Sequence, residues 1–572
     1  MNKQIIYAVA LCLVTGIVGC TDILDKNEPG NINPEDIWSN EESANLYINS
    51  LYGIRPDGGF GNNAGNSDES DGNSAFIYGE LTADDVGTYS QSYYAGIRDI
   101  NIAIKEAKRG DMQPEARERV LGQAHFLRAW EYWGLLKRYG GVPHIKKPVN
   151  PFSDELSFPR EATSQVINEI VADLDTARSY LPASWPENEL GRVTRGAAAA
   201  LKGRILLYWA SPQFNPDGDQ QRWQRAYTAN KEAKQLLDQD GYGLYPNFGR
   251  IFLDEGNQSY IFGELFSNTT GEQIVHGWES SLRPPAVNGS GSVTPTWELV
   301  KAFPTANGLS IDDPAATYDS TKFYKNRDPR FYQTIAFNAM NWTFSDYADD
   351  RRQYQYYVDG STVEPSGGTD TGFYTRKASN PDIPTSQIGN TGTDWIEMRY
   401  AEVLLNLAEA ANATERRQEA YNQITAIRQR AGINPGFDGL YGLEANMNRE
   451  QMVDAIMRER QIEFAFENKR YWDLRRRNLF KEKLNGTRRH GLRINFTGSD
   501  HDQFISARDT MSLDYMYDNY FEGEMVSVDQ EQAINYPQPK YNFFAIPTSV
   551  LQRSPEVEQT MGWQNGTFDP LQ

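Results

Sequence analysis

Apolar residues recur at helical spacing through the longest periodic stretch of the chain, residues 115–143. They form two stripes, which predicts a helix that packs against neighbours on more than one side. The stripes are Val120, Ala124 and Leu127, and Phe126, Trp130 and Trp133. Gly140 and Gly141 should end this helix, and Pro143 should prevent it from resuming.

Further amphipathic stretches predict helices along much of the remaining chain. They cover residues 41–53, 95–109, 161–180, 194–210, 221–239, 398–412, 416–432 and 449–470. Thr194 is expected to cap the start of one helix and Gly432 the end of another. The stretches 398–412 and 416–432 are separated by a short break, which predicts an antiparallel helix pair. Small and large apolar residues alternate as in tetratricopeptide-type packing, although no regular 34-residue repeat can be written.

The pattern changes over residues 240–390, which are rich in Gly, Pro, Thr, Asn and aromatic residues. Only short stretches there, such as 259–266 and 330–337, have the composition of strands. This part is therefore predicted to be loop with small sheets, within a chain that is mainly α-helical.

The amino terminus carries a separate apolar run, residues 5–19, which is shorter than the roughly 20 residues that a membrane-spanning helix needs. The run has the length of a signal-peptide core. Ile17, Val18 and Gly19 before Cys20 resemble the lipobox of bacterial lipoproteins, which implies cleavage after residue 19 and acylation of Cys20. The alternative is an ordinary signal peptide followed by an incidental cysteine.

Composition narrows the class of ligand. The chain has a formal charge of −21, which argues against nucleic acid because binding there depends on neutralising phosphates. The same acidity disfavours highly sulfated or uronate-rich glycans unless arginines cluster locally. With 12 Trp and 32 Tyr, the chain has more large aromatic residues than its core needs, and rings in loops can stack on sugars or on peptide side chains.

Catalytic signatures are weak, so the chain is predicted not to be an enzyme and to bind no metal or other cofactor. The 5 histidines lack metal-ligand spacing, and neither HExxH nor GxSxG occurs. Adjacent acids such as Asp84 and Asp85 could serve a glycosidase but are common in loops. Glu459, Glu463 and Glu467 recur every four residues among arginines, a pattern typical of a structural charge network.

Seven segments resemble successive signatures of the SusD/RagB family. They are "CTDILDKNEP", "DIWSNEESANLYINSLY", "GQAHFLRAWEYWGLLKRYGGVP", "LKGRILLYWASPQFNP", "RYAEVLLNLAEA", "IMRERQIEFAFENKRYWDLRR" and "FFAIPTSVLQRSPEVEQTMGW". The resemblance implies a right-handed superhelix of tetratricopeptide-like helix pairs with an irregular part that carries ligand contacts. It also implies a surface-exposed outer-membrane lipoprotein of Bacteroidetes that binds glycans, or in some members peptides, as a lid over a SusC-like TonB-dependent transporter.

The sequence pattern, together with this resemblance, suggests a division of the chain into five parts. They are a signal peptide at 1–19, a lipid anchor and tether at 20–40, a helical part at 41–239, a loop-rich insertion at 240–390 and a C-terminal helical part at 391–572.

Candidate ligand contacts are loop residues with aromatic or hydrogen-bonding side chains. They are Asp84, Asp85, Tyr89, Trp278, Arg283, Trp342 and Tyr347. For each aromatic residue, packing beneath a loop explains the pattern as well as ligand contact does. The sequence leaves open whether the ligand is a glycan or an oligopeptide, and whether the chain is instead a helical scaffold or degradative lipoprotein without a transport role.

Overall fold

A computed structural model describes residues 34–53, 58–72, 74–86, 91–150, 152, 157–269, 273–348, 350–530 and 532–572. The helices of its first half are α1 Pro34–Ile37, of four residues, and the longer α2 Glu41–Leu51, α3 Gln91–Arg109, α4 Pro114–Tyr139, α5 Thr163–Tyr180, α6 Arg195–Ala210 and α7 Gln220–Gln239. Short helices follow: α8 Trp278–Leu282, α9 Trp297–Ala302 and α10 Pro329–Thr334. The remaining helices are α11 Tyr400–Ala413, α12 Arg417–Ala431, α13 Arg449–Glu463, α14 Arg470–Arg476, α15 His501–Ala507, α16 Leu513–Asn519 and α17 Thr548–Arg553.

The helical body is a row in which each long helix packs against the next along the chain. The row runs from α3 to α7, continues from α7 to α11, and α11 then packs against both α12 and α13. Their apolar faces form one large core that contains Val120, Leu201 and Leu404. The predicted mainly α-helical fold of paired helices is confirmed. Within the described residues, no helix is both long and apolar enough to span a membrane.

Local signals fix several helix ends where the sequence predicted them. The Thr194 hydroxyl accepts a hydrogen bond from the Ala197 amide at 3.1 Å, which satisfies a free N–H at the start of α6. Gly432 ends α12 with φ +84°, a conformation that glycine adopts without a steric penalty. Gly140 ends α4 with φ +75°, and a Cβ there would lie 2.6 Å from the Pro570 Cβ.

Three small sheets complete the fold of the described residues. The strands are β1 Tyr260–Glu264, β2 Ile335–Ala336, β3 Tyr357–Val358, β4 Ser361–Thr362, β5 Tyr374–Thr375, β6 Trp395–Arg399, β7 His490–Phe496 and β8 Phe521–Ser527. β1 pairs with β6, β2 pairs with β5, and the third sheet has the order β4-β3-β7-β8. The antiparallel β7–β8 pair is the longest, with His490 opposite Ser527 and Phe496 opposite Phe521.

Two predicted elements differ from the structure. Residues 330–337 were expected to form a strand, but most of them lie in α10, because Asp328 accepts a hydrogen bond from the Arg330 amide and Pro329 occupies the first helical turn. The helix predicted over 449–470 ends at Glu463, since Phe466 and Asn468 adopt φ values of +62° and +57°. A short second helix, α14, starts at Arg470.

The acidic residues at the end of α13 and just after it form a buried ion network. Glu459, Glu463 and Glu467 are all fully buried, and their partners come from other parts of the chain. Glu459 pairs with Arg330 and Arg428, Glu463 with Arg330, Arg399 and Arg430, and Glu467 with Lys377 and Arg399. The interpretation as a structural network is confirmed, with different partners from those nearest in sequence. Arg460 instead pairs with Asp473, and Arg470 with Asp68.

Candidate functional site

A cleft of about 860 Å³ opens among the loops of the 240–390 part. This volume is in the range of small-molecule sites. Its lining is Thr317, Tyr318, Asp319, Lys322, Tyr324, Lys325, Asn326, Tyr332, Phe337, Ala339, Met340, Asn341, Arg352, Arg376 and Leu513. We call it the arginine–tyrosine cleft.

Aromatic packing forms the floor of the cleft. The Tyr324 ring stacks on Phe337 with centroids 5.5 Å apart, and both residues are buried. Tyr332 is only partly buried, and its hydroxyl donates a hydrogen bond to the Tyr324 carbonyl at 2.7 Å. Tyr318 is likewise partly buried. The cleft therefore offers aromatic surface held in place by a packed layer beneath it.

An irregular two-stranded ladder places Arg352 in the cleft. The Gln353 amide donates to the Met340 carbonyl at 2.9 Å, and the Trp342 amide donates to the Arg351 carbonyl at 3.0 Å. This ladder brings Arg352 opposite Asn341. The Arg352 Nη2 donates to the Met511 carbonyl at 2.9 Å.

Arg376 follows β5 and reaches the cleft beside α10. Its amide donates to the Thr334 carbonyl at 2.8 Å, and its Nη1 donates to the Tyr332 carbonyl at 2.9 Å. Burial lowers the pKa of Arg376. Within the described part of the chain, neither Arg376 nor Arg352 forms a salt bridge with a carboxylate. The two lysines differ, because Lys322 pairs with Asp518 and Lys325 with Asp514.

The cleft combines aromatic surface with cationic and amide donors, which suits binding of a polar ligand. In the described ranges, no group of three or more His, Cys, Asp and Glu residues is arranged to hold a metal ion. The cleft contains Asp319, whose pKa is lowered by hydrogen bonds from Thr321. This carboxylate is therefore already engaged in the local turn that begins at residue 319.

Of the predicted contact residues that the structure describes, none lines this cleft. Cys20 and Tyr89 lie outside the described residues. Asp84 accepts hydrogen bonds from the amide and hydroxyl of Thr548, at 2.8 and 3.1 Å. Asp85 accepts from the amide and hydroxyl of Thr82, at 2.8 and 2.6 Å. Both acids are exposed, but their carboxylates hold local backbone structure.

Two predicted contacts are core residues, and the expectation that they are exposed in loops is wrong. Trp342 is 2% exposed and its ring packs on Phe344 with centroids 5.1 Å apart. Arg283 is fully buried and donates to Glu279 at 2.5 Å. Both side chains lie beneath the loops, so neither is accessible to a ligand in this conformation.

The two remaining candidates are accessible to different degrees. Trp278 is partly buried and stacks on His276 with ring centroids 3.7 Å apart. A Cβ added at Gly59 would lie 1.9 Å from the Trp278 ring, so the backbone at Gly59 covers it closely. Tyr347 is 40% exposed, and the Arg351 guanidinium lies 5.2 Å from its ring centroid. A ligand role for either residue stays a prediction.

Sequence reasoning missed the residues that line the cleft. Arg352 lies in the stretch from which Trp342 and Tyr347 were selected, and Tyr332 lies in the supposed strand 330–337. The Arg351–Arg352 pair in an acidic chain was the available signal. The cleft itself joins residues 317–341 with residues 352, 376 and 513, and helical or strand periodicity gives no information about such contacts.

Comparison with known families identifies the family of the chain. A model described as the SusD family matches residues 254–563, more than half of the chain. The chain belongs to the SusD family. This confirms the SusD/RagB resemblance. A second model, described as "Starch-binding associating with outer membrane", matches residues 57–207.

Relatives of this SusD-family chain match it over most of their length. It is 26% identical to SusD-like protein P2 of Formosa agariphila over 506 residues, which cover 84% of this chain and 92% of that protein. A SusD-like protein from Bacteroides fragilis NCTC 9343 superimposes with a TM-score of 0.72 at 26% identity, covering 93% of this chain and 99% of that one. A SusD-like carbohydrate binding protein from the same organism gives a TM-score of 0.70 at 22% identity, covering 91% and 100%.

Proposed function

We propose that this chain is an outer-membrane lipoprotein that binds oligosaccharides in the arginine–tyrosine cleft and delivers them to a SusC-like TonB-dependent transporter without cleaving them. The observation that carries the proposal is the cleft, with Tyr318 and Tyr332 beside Arg352 and Arg376, in a chain of the SusD family. Sugars are bound by aromatic rings together with hydrogen-bond donors.

The family descriptions support a glycan as the ligand. The model that matches residues 57–207 is described as starch-binding and as associating with the outer membrane, and one similar structure is a carbohydrate binding protein. Anchoring through acylated Cys20 would keep the chain at the membrane, because two or more acyl chains give stable attachment. The transporter is proposed from the family resemblance.

A binding screen with product analysis tests this function. The purified protein is applied to an array of plant, algal and host glycans and, in parallel, to a library of oligopeptides. We expect binding to a restricted set of glycans, and chromatography should recover these glycans unchanged after prolonged incubation. Selective binding of peptides alone would replace the glycan with a peptide ligand, and reproducible cleavage of a bound glycan would contradict a purely binding role.

A further inference from the structure

We infer that the arginine–tyrosine cleft selects oligosaccharides that carry anionic groups, carboxylate or sulfate, and that Arg352 and Arg376 recognise these groups. This inference rests on the proposed glycan-binding function and adds the chemical class of the ligand. It concerns a local excess of positive charge in a chain whose overall formal charge is negative.

The charge balance of the lining is the first observation. Four cationic side chains and one acidic side chain line the cleft, although the whole chain carries a formal charge of −21. Lys322 and Lys325 are compensated by Asp518 and Asp514, which flank the cleft on α16. Among the described residues, the two arginines are therefore the cationic lining side chains without a paired carboxylate, and with Asp319 counted they leave the cleft one positive charge in excess.

The surroundings of Arg376 are the second observation. Its guanidinium is partly buried and contacts the Tyr332 carbonyl, with no salt bridge to a carboxylate in the described part of the protein. Burial lowers its pKa because desolvation disfavours the charged form. A buried charge is costly unless it is paired, so an anionic ligand group would supply the missing partner. A planar guanidinium suits this role, because it can donate two parallel hydrogen bonds to a carboxylate or sulfate.

Arg352 repeats this arrangement on another wall of the cleft. Its Nη2 donates to the Met511 carbonyl, while its Nη1 is buried with no hydrogen-bond partner among the described residues. Its charge is thus also uncompensated by any described carboxylate. Two such guanidiniums in one cleft favour an anionic ligand, because a charged acceptor forms stronger hydrogen bonds with a guanidinium than a neutral hydroxyl does.

The neighbouring Arg351 offers a matched comparison. It lies next to Arg352 in sequence but does not line the cleft. Its guanidinium donates to the Trp342 carbonyl at 3.0 Å and to Gln353 Oε1 at 2.9 Å. Arg351→Gln therefore makes the same chemical change as Arg352→Gln, but at a position outside the proposed site.

Pairs of glycans that differ only in charge test the inference on the wild-type protein. Carboxylated glycans are compared with their carboxyl-reduced forms, and sulfated glycans with their desulfated forms, by calorimetry or affinity electrophoresis. We expect at least one charged glycan to bind about tenfold or more tightly than its neutral counterpart, and the successful pair identifies carboxylate or sulfate. Binding of neutral glycans alone would overturn this inference and leave the proposed function intact. Binding of no glycan would overturn both, and binding of acidic peptides alone would assign the cleft to another class of ligand.

Substitutions in the cleft provide the second arm. Arg376→Gln and Arg352→Gln should each weaken binding of the charged glycan about tenfold and leave the affinity for the neutral counterpart nearly unchanged, whereas Arg351→Gln should match wild type for both. Arg376→Lys, which keeps the charge, should retain part of the preference if Arg376→Gln fails to fold. Unchanged preference for the charged glycan in folded Arg352→Gln and Arg376→Gln variants would contradict the assignment.

Discussion

At the scale of single residues, burial decides what a side chain can do. Trp342 and Tyr318 belong to the same loop-rich part, but Trp342 is buried in the core and Tyr318 lines the cleft. The sequence alone does not distinguish them, because both are aromatic residues among polar neighbours. Whether each ring is buried or lines the cleft depends on which segments of the chain fold over it.

A pair of alanine substitutions measures this difference. Trp342→Ala should lower the free energy of unfolding by about 3–5 kcal/mol, as expected for a large core aromatic residue. Tyr318→Ala should weaken glycan binding about five- to tenfold, if a sugar stack resembles the weaker aromatic–base stacks, with a much smaller loss of stability. Denaturant titration and calorimetry on both variants test this. A Trp342→Ala variant that stays as stable as wild type but no longer binds glycan would show that Trp342 contacts the ligand.

The buried carboxyl of Glu131 makes stability depend on pH. Glu131 lies in α4 and is 4% exposed, and burial raises its pKa from 4.5 to about 8. The folded state therefore holds the proton more tightly than the unfolded state. The resulting stabilisation is complete below about pH 4.5 and is lost as the pH rises towards 8, at up to about 1.4 kcal/mol per pH unit.

Glu131→Gln removes this titration. Urea titrations at pH 5 and pH 8 should show stabilities within about 1 kcal/mol for wild type and variant at pH 5, and a variant that is more stable by up to about 4 kcal/mol at pH 8. Glu118→Gln, at an exposed position of the same helix, serves as the control and should follow wild type. Parallel pH profiles for wild type and Glu131→Gln would show that Glu131 is not the titrating group.

At the scale of elements, periodicity predicted the long helices well because their signals are local. The observed bounds of α2, α5 and α7 agree closely with the predicted ranges 41–53, 161–180 and 221–239. The break after Glu463 was missed because it serves tertiary contacts. The backbone turns through Phe466 and Asn468, and Glu467 between them reaches Lys377 and Arg399.

The end of α4 gives an element-scale prediction. Gly140→Ala places a side chain at φ +75° and against Pro570, so it should lower the free energy of unfolding by about 2 kcal/mol or more. Gly218→Ala is a matched control, because Gly218 has φ +71° and no atom lies within 4 Å of an added Cβ. That variant should lose only about 1 kcal/mol, from backbone strain alone. Equal losses, measured by chemical denaturation, would exclude a specific contact with Pro570.

At the scale of the whole molecule, buried ion pairs connect parts that are far apart in sequence. Arg330 and Lys377 come from the loop-rich part, and Arg399 ends β6. Their partners are Glu463, the last residue of α13, and Glu467, which lies between α13 and α14. The sequence pattern identified the acidic residues and predicted that they belong to a structural charge network. It did not identify the partners, because pairing across the fold leaves no fixed spacing.

The proposed lipid anchor is also tested at the scale of the whole molecule. Cys20→Ala removes the acylated sulfur that the lipobox-like sequence predicts, so the variant should leave the membrane fraction and lose labelling by a fatty-acid analogue. Fractionation is performed in cells that lack the proposed transporter. Continued membrane association of the unlabelled variant would contradict lipid anchoring.

The structure of a complex with the glycan that binds most tightly tests the central claim most directly. We predict an oligosaccharide in the arginine–tyrosine cleft, in contact with Tyr318 or Tyr332 and within hydrogen-bond distance of Arg376. A glycan bound elsewhere, for example at the partly exposed Trp278 or Tyr347, with the cleft unoccupied, would contradict the account.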